Sequence, residues 1–352
     1  MASITQGLMP LLPRGGPYPP SGAQLGGIPT KKVDVPTSAV LLALFFAGAA
    51  THMTVFQVNR RRGHFFIFSV LVFGFCMARI MGLVMRIAWA CNPTNIDLAI
   101  AAQVFTNAGV LVLFIVNVFL LVRIVRGEAP KVGWSRPVWV ALRALVVSII
   151  AMLVMVVTCS VHSMFTLNME TRQKERKVLL FAGVYMSVIA FLPMLVIPIL
   201  LLLKTIAKKN IDLGEREDFG TPDVAGRIRT KITLLFVASV LLTIGAGFRV
   251  GVNFATRPAF NPAWWHHKAA FYCFSFALEL PVVYMYALFR FDKLFWVPDK
   301  SSKPGDFSRG VVAADDCDQE DEVLEEGGKS GNSGATSTRE KENGGKSDAQ
   351  AV

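Results

Sequence analysis

Cysteine is scarce in this chain, and charge is scarcer than a soluble domain needs. Five cysteines are spread over 352 residues, with no Cys-x-x-Cys pair and no metal-ligand spacing; neither a zinc site nor a dense disulfide scaffold fits that pattern. Cys76, Cys159 and Cys273 lie in apolar segments, where cysteine serves as a small hydrophobe. Cys91 is read as a free thiol near a membrane surface, with a disulfide as the alternative. Charged residues make up only 17% of the chain and hydrophobic ones 53%, a balance foreign to soluble domains. The opening residues, MASITQGLMPLLPRGGPYPP, lack the apolar core of a signal peptide, so the first membrane helix is expected to direct targeting. No nucleophile elbow, phosphate-cradling glycine loop or dinucleotide fingerprint occurs in the spans or loops, and the expectation is no enzyme and no cofactor. His52, His64, His162, His266 and His267 fall at different depths and do not make a metal site.

What the chain does have is length in its apolar runs. Blocks at residues 36–58, 65–90, 98–122, 137–165, 178–203, 232–252 and 269–289 each reach the roughly 20 residues that cross a bilayer. The expected fold class is all-α, a polytopic membrane protein built as a bundle of seven transmembrane helices. Residues 1–35 are rich in Pro and Gly, and residues 299–352 in Gly, Ser and charge with an acidic block at 315–326. Both read as disordered tails flanking a 36–298 bundle. Gly247 and Gly251 on the sixth span, and Gly74 and Ala78 on the second, give small-residue faces that suit packing inside the bundle.

The net charge of +11 belongs to loops, because Lys and Arg cluster between apolar blocks; no nucleic-acid partner is expected. The bases on the side of Arg60, Arg61, Arg62 and the 204–231 loop outnumber those on the other side nearly twofold. The positive-inside rule therefore puts the amino terminus outside and the carboxyl terminus in the cytosol. The loop from Met169 to Lys177 runs against this assignment, with four bases partly offset by Glu170 and Glu175.

Arg79 and Arg86 lie seven residues apart on the second span, two helical turns, and so project from nearly one face. An arginine at mid-bilayer is costly and turns toward protein or water. At about 1.5 Å of rise per residue, Arg79 lies roughly 16 Å and Glu279 roughly 15 Å from the outer surface, with Asn107 at a similar level. Glu279 is read as the one acidic residue inside a span. The expected site is therefore an intramembrane polar layer of Arg79, Asn107 and Glu279, with an Arg79–Glu279 ion pair. Arg86 and Arg249 are placed nearer the surface, where they meet lipid phosphate by snorkelling or hold an anionic ligand.

Two fragments, Leu280-Pro281-Val282-Val283-Tyr284 and Val122-Arg123-Ile124, resemble parts of rhodopsin-type receptor motifs. A closer likeness runs through Arg61-Arg62-Gly63-His64, Phe73-Gly74-Phe75-Cys76-Met77-Ala78-Arg79-Ile80, Met85-Arg86-Ile87-Ala88-Trp89-Ala90, Ala99-Ile100-Ala101-Ala102-Gln103-Val104-Phe105, Gly133-Trp134 and Asn261-Pro262-Ala263-Trp264. On these residues the chain resembles a fungal family of seven-span proteins of unknown function, often labelled "family C-like G-protein-coupled receptor". The resemblance implies fold and membrane location and assigns no ligand. In plan, though not in motif, the chain is also similar to fungal lipid-translocating exporters.

The leading reading is a receptor-like membrane protein, in the plasma membrane rather than an internal one. Its partners would be membrane lipid and a cytosolic transducer at loop 204–231 and the tail. The alternative is a transporter or lipid translocator that uses the Arg79–Glu279 layer.

Overall fold

Within lipid a backbone must satisfy its own polar groups, so apolar blocks of bilayer length become helices. The computed structural model describes residues 17–18, 22–210, 228–298 and 301–307. Among them seven helices are long and apolar enough to cross a membrane. In chain order these are α1 (Lys31–Arg61), α2 (Ile67–Cys91), α3 (Ile96–Glu128), α4 (Arg136–Phe165), α5 (Met169–Asn210), α6 (Ile228–Phe254) and α7 (Lys268–Leu288). The protein is an all-helical, seven-span membrane bundle. Successive helices alternate in direction. Thr30, the α2–α3 turn and residues 255–267 share one end, the N-terminal face; residues 62–66, 289–298 and 301–307 share the other, the C-terminal face.

The helix in the middle is α3. In its most apolar stretch 61% of residues are buried, against 6% in α4, where Ile149 alone is buried. The exposed Val140, Val147 and Val154 of α4 suit a helix that turns most of its surface to lipid. Where α2 meets α3, small residues let the backbones close up. A Cβ on Gly109 would come within 3.4 Å of Ala78 Cβ, and one on Gly82 within 3.5 Å of Phe105 Cβ. The small-residue faces singled out in the sequence are used differently. No heavy atom lies within 4 Å of a Cβ built on Gly74, Gly247 or Gly251, so packing inside the bundle does not account for those three.

Midway along α7 the helix widens into a π turn, Cys273–Ala277, closed by Leu278 N donating to Cys273 O at 3.1 Å. Such insertions rotate everything that follows, and they recur at functional sites. Glu279 is the second residue beyond this one.

Several boundaries differ from the sequence expectation. The first helix starts at Lys31, with Pro36 inside it, so Asp34 belongs to a span, as does Glu128 at the end of α3; Glu279 is not the lone acid. Residues 22–30 are built into the N-terminal face rather than forming a free tail, through an antiparallel bridge between Gly22 and Pro258 and a bond from Ala23 N to Arg257 O of 2.9 Å. Past Pro298 the chain folds back, and Phe307 is buried with its ring 5.3 Å from that of Trp134. Expectations for residues 1–16, 19–21 and 308–352, including the acidic block, and for 211–227 of the long loop, lie outside the described residues. Cys76, Cys91, Cys159 and Cys273 are unbridged.

At the C-terminal face a buried carboxylate ties the end of α1 to the residues after α7. Arg290, in the left-handed region at φ 47°, forks onto Asp292 at 3.1 and 2.9 Å, and Asn59 Nδ2 donates to the same carboxylate at 2.8 Å. Burial alone would raise the Asp292 carboxyl; the Arg290 fork and the Asn59 amide outweigh it and hold it below its ordinary value. A depressed carboxyl stabilises the fold above its unfolded pKa and loses that contribution as pH falls through the folded value. The melting-temperature gap between wild type and Asp292→Asn is therefore expected to be widest at neutral pH. It should narrow as detergent-solubilised protein is taken below about pH 4; a constant gap would rule this role out.

Candidate functional site

The two arginines of α2 define two layers. In the deeper layer Arg79 is wholly buried. Its Nη2 donates to Glu279 Oε1 of α7 at 2.5 Å and its Nη1 to the Thr106 carbonyl of α3 at 2.6 Å. The guanidinium also lies between aromatic rings, 5.4 Å from the Phe75 centroid and 5.2 Å from that of Phe276, which suits a desolvated cation. Asn107, next to Thr106, lines an adjoining cavity; it shares the level without joining the pair.

Arg249 of α6 enters the same layer, with Nη1 3.7 Å from Glu279 Oε1. That corrects its expected position at the lipid surface. Side chains leave a helix tilted toward its N-terminus, and α6 rises toward the N-terminal face, so Arg249 reaches down into the bundle. One carboxylate thus serves two guanidinium groups, leaving a net positive charge in a region of low dielectric.

Arg86 is corrected too. It is buried, and its partner is protein rather than phosphate. Its Nε and Nη2 donate to Asp34 Oδ1 at 3.1 and 2.8 Å, Nη2 also donates to Gly26 O at 2.9 Å, and its Cζ lies 4.2 Å from the centroid of Phe271. Asp34, itself wholly buried, accepts further bonds from Lys268 Nζ at 2.5 Å, Tyr272 OH at 2.9 Å and Thr30 N at 2.7 Å. The upper layer binds α1, α2, α7 and the leading segment into one knot. Sequence reasoning missed Asp34, although an acid in the first turn of a helix, where the macrodipole favours it, was a usable signal.

Between α3, α4, α5, α6 and α7 lies a cavity of about 380 Å³, within the range of small-molecule sites. It extends from the N-terminal face, where Ala23, Leu25, Arg176 and Thr256 line it, down to Asn107, Ser187, Arg249 and Ser275. Leu111, Phe114, Leu153 and Met186 supply apolar wall, and among the described residues no Asp or Glu lines it. Arg249 Nη1, Ser187 Oγ and Ser275 Oγ are buried without a hydrogen-bond partner among the described residues. Three polar groups with unused bonding capacity thus border one chamber.

The leading segment runs over the outer end of this cavity, with Gly26 N donating to His266 O at 3.1 Å. Gly26 has φ +79°, and a Cβ there would fall 2.7 Å from Phe271 Cγ and 3.0 Å from Arg86 Nη2. Gly26→Ala is expected to weaken this cover by about 1–3 kcal/mol, seen as roughly tenfold faster limited proteolysis within residues 22–30. Unchanged cleavage would show that the segment is not held by this contact.

Two family descriptions match the chain. "Domain of unknown function (DUF7702)" covers residues 39–221, and "Protein of unknown function (DUF3112)" covers residues 225–296. Neither description assigns an activity. No curated protein and no solved structure matches the chain. The first match takes in α1 to α5 and just over half of the sequence, and on that ground the chain belongs to the family described as "Domain of unknown function (DUF7702)".

Proposed function

We propose that the protein is a receptor-like membrane protein that admits a small ligand to the α3–α7 cavity from the N-terminal face. In this reading that face is outside the cell, the membrane is the plasma membrane, and loop 204–231 and the tail engage a cytosolic transducer. The supporting observation is that Arg249 connects the cavity to Glu279. A ligand that draws Arg249 away leaves Glu279 to Arg79 alone, and so changes how α2, α6 and α7 hold together. Below Glu279, α7 carries Tyr286, whose hydroxyl donates to Asn117 of α3, and Asn117 Nδ2 donates to Ser239 of α6 at 3.3 Å. Two of those helices, α6 and α7, are thus also coupled through α3 on the way to the C-terminal face. A ligand with unequal affinity for two such arrangements shifts the population between them.

The test is nucleotide exchange on a heterotrimeric G protein by membranes containing the full chain. Replacing residues 211–227 with a Gly-Ser linker is expected to abolish exchange while surface expression persists; no exchange with the intact chain defeats the proposal. A second reading, lipid translocation, draws support from α4, which walls the cavity yet faces lipid over nearly all its length. Movement of a labelled lipid in proteoliposomes that disappears in Glu279→Gln would establish that reading in place of the first.

A further inference from the structure

We infer that the α3–α7 cavity binds a compact anionic amphiphile, a carboxylate on an apolar chain of about a dozen carbons; this rests on the ligand-binding reading above and names the ligand class. Charge is the first argument. Arg79 and Arg249 share Glu279, and no carboxylate is among the described residues that line the cavity. A buried guanidinium without full compensation is unfavourable, and one more negative charge balances the layer. Among the described residues Arg79 Nε and Arg249 Nη1 both lack an acceptor in that layer, and of the two arginines Arg249 is the one that lines the cavity. Glu279 Oε1 lies 2.5 Å from Arg79, a close charged hydrogen bond, and 3.7 Å from Arg249, beyond hydrogen-bonding distance.

Geometry supplies the second argument. The planar fork of an arginine fits the two oxygens of a carboxylate. The hydroxyls of Ser187 and Ser275 border the same chamber with no partner of their own. The same cavity has apolar wall from Leu111, Phe114 and Leu153, so a bare inorganic anion would leave that surface wet. Size is the third. A volume of about 380 Å³, at about 30 Å³ per water-sized group, takes on the order of a dozen such groups.

The probe is radiolabelled dodecanoate, applied to the full chain in nanodiscs of zwitterionic lipid, with empty discs subtracted; dodecanol supplies the tail alone and acetate the head alone. Saturable binding stoichiometric with the chain is expected for dodecanoate, with weak or no binding of the other two. Arg249→Gln is expected to weaken dodecanoate binding roughly tenfold or more, and Arg249→Lys to retain part of it. Removing an undercompensated charge should leave Arg249→Gln melting no lower than wild type. Should it nonetheless fail to fold, Leu111→Trp fills the cavity while sparing the charges, and is expected to abolish saturable binding. Equal affinity for dodecanoate and dodecanol, equal affinity for dodecanoate and acetate, no saturable binding, or insensitivity to Arg249→Gln or Leu111→Trp each overturns the inference. Dodecanoate binding without nucleotide exchange removes the receptor reading and leaves the ligand class standing; exchange without dodecanoate binding does the reverse.

Discussion

Glu279→Gln is expected to destabilise the bundle by about 3–5 kcal/mol, the range for stranding a buried charge by removing its partner. Among the described residues the carboxylate is the only one paired with these two guanidinium groups, 2.5 Å from Arg79 and 3.7 Å from Arg249. Its neutralisation leaves both uncompensated, and they then repel. Arg79→Leu should cost less, although Arg79 is the more deeply buried. Arg249 already stands beside Glu279 and needs only a small movement to take the vacated position. The double variant, Arg79→Leu with Glu279→Gln, is expected to melt above Glu279→Gln alone, because one stranded cation has been removed along with the acid. Thermal unfolding in detergent or nanodiscs gives the order directly. A double variant that melts at the additive sum of the two single losses would mean that the pair is not energetically coupled.

The second large effect belongs to Asp34. Asp34→Ala removes the acceptor of Arg86, Lys268, Tyr272 and the Thr30 amide together. The expected loss is about 3 kcal/mol, the lower end for a broken buried pair. Lys268 is a quarter exposed and can turn to water, whereas Arg86, 6% exposed, keeps only Gly26 O, the Tyr272 hydroxyl and the rings around it. The variant should also loosen residues 22–30, which are held in part by Arg86 through Gly26 O. Faster proteolysis in that segment, beside a lowered melting temperature, is the paired readout. A lower melting temperature with unchanged proteolysis would place the segment's anchor elsewhere, at Gly22 and Ala23.

Much of this was legible in the residues, and for specific reasons. The seven spans are readable because a bilayer imposes a minimum apolar length that loops do not meet. The level shared by Arg79 and Glu279 follows from counting rise per residue along two long helices. Asp34 escaped because Pro36 resembles a helix start, while Lys31, Lys32 and Asp34 lower the local hydropathy; the helix in fact begins five residues earlier. Arg86 and Arg249 were placed too shallow because counting locates Cα atoms only. Both sit on helices that rise toward the N-terminal face, so their side chains tilt back into the bundle. The cavity was beyond reach, since it is framed by five helices whose lateral order no single-chain periodicity contains.

The pairing of the two α2 arginines sets a timetable for synthesis. Arg86 finds its acid 52 residues earlier in the chain, so α1 is already present when α2 leaves the ribosome. Arg79 must wait for a residue 200 positions later. At about 5–20 residues per second that interval is on the order of 10–40 s, during which a bilayer-depth arginine has no acid of its own. Until the last helix arrives, the half-made protein carries an unmatched charge that a membrane chaperone or a degradation pathway can recognise. A chain cut short before α7 displays that charge permanently.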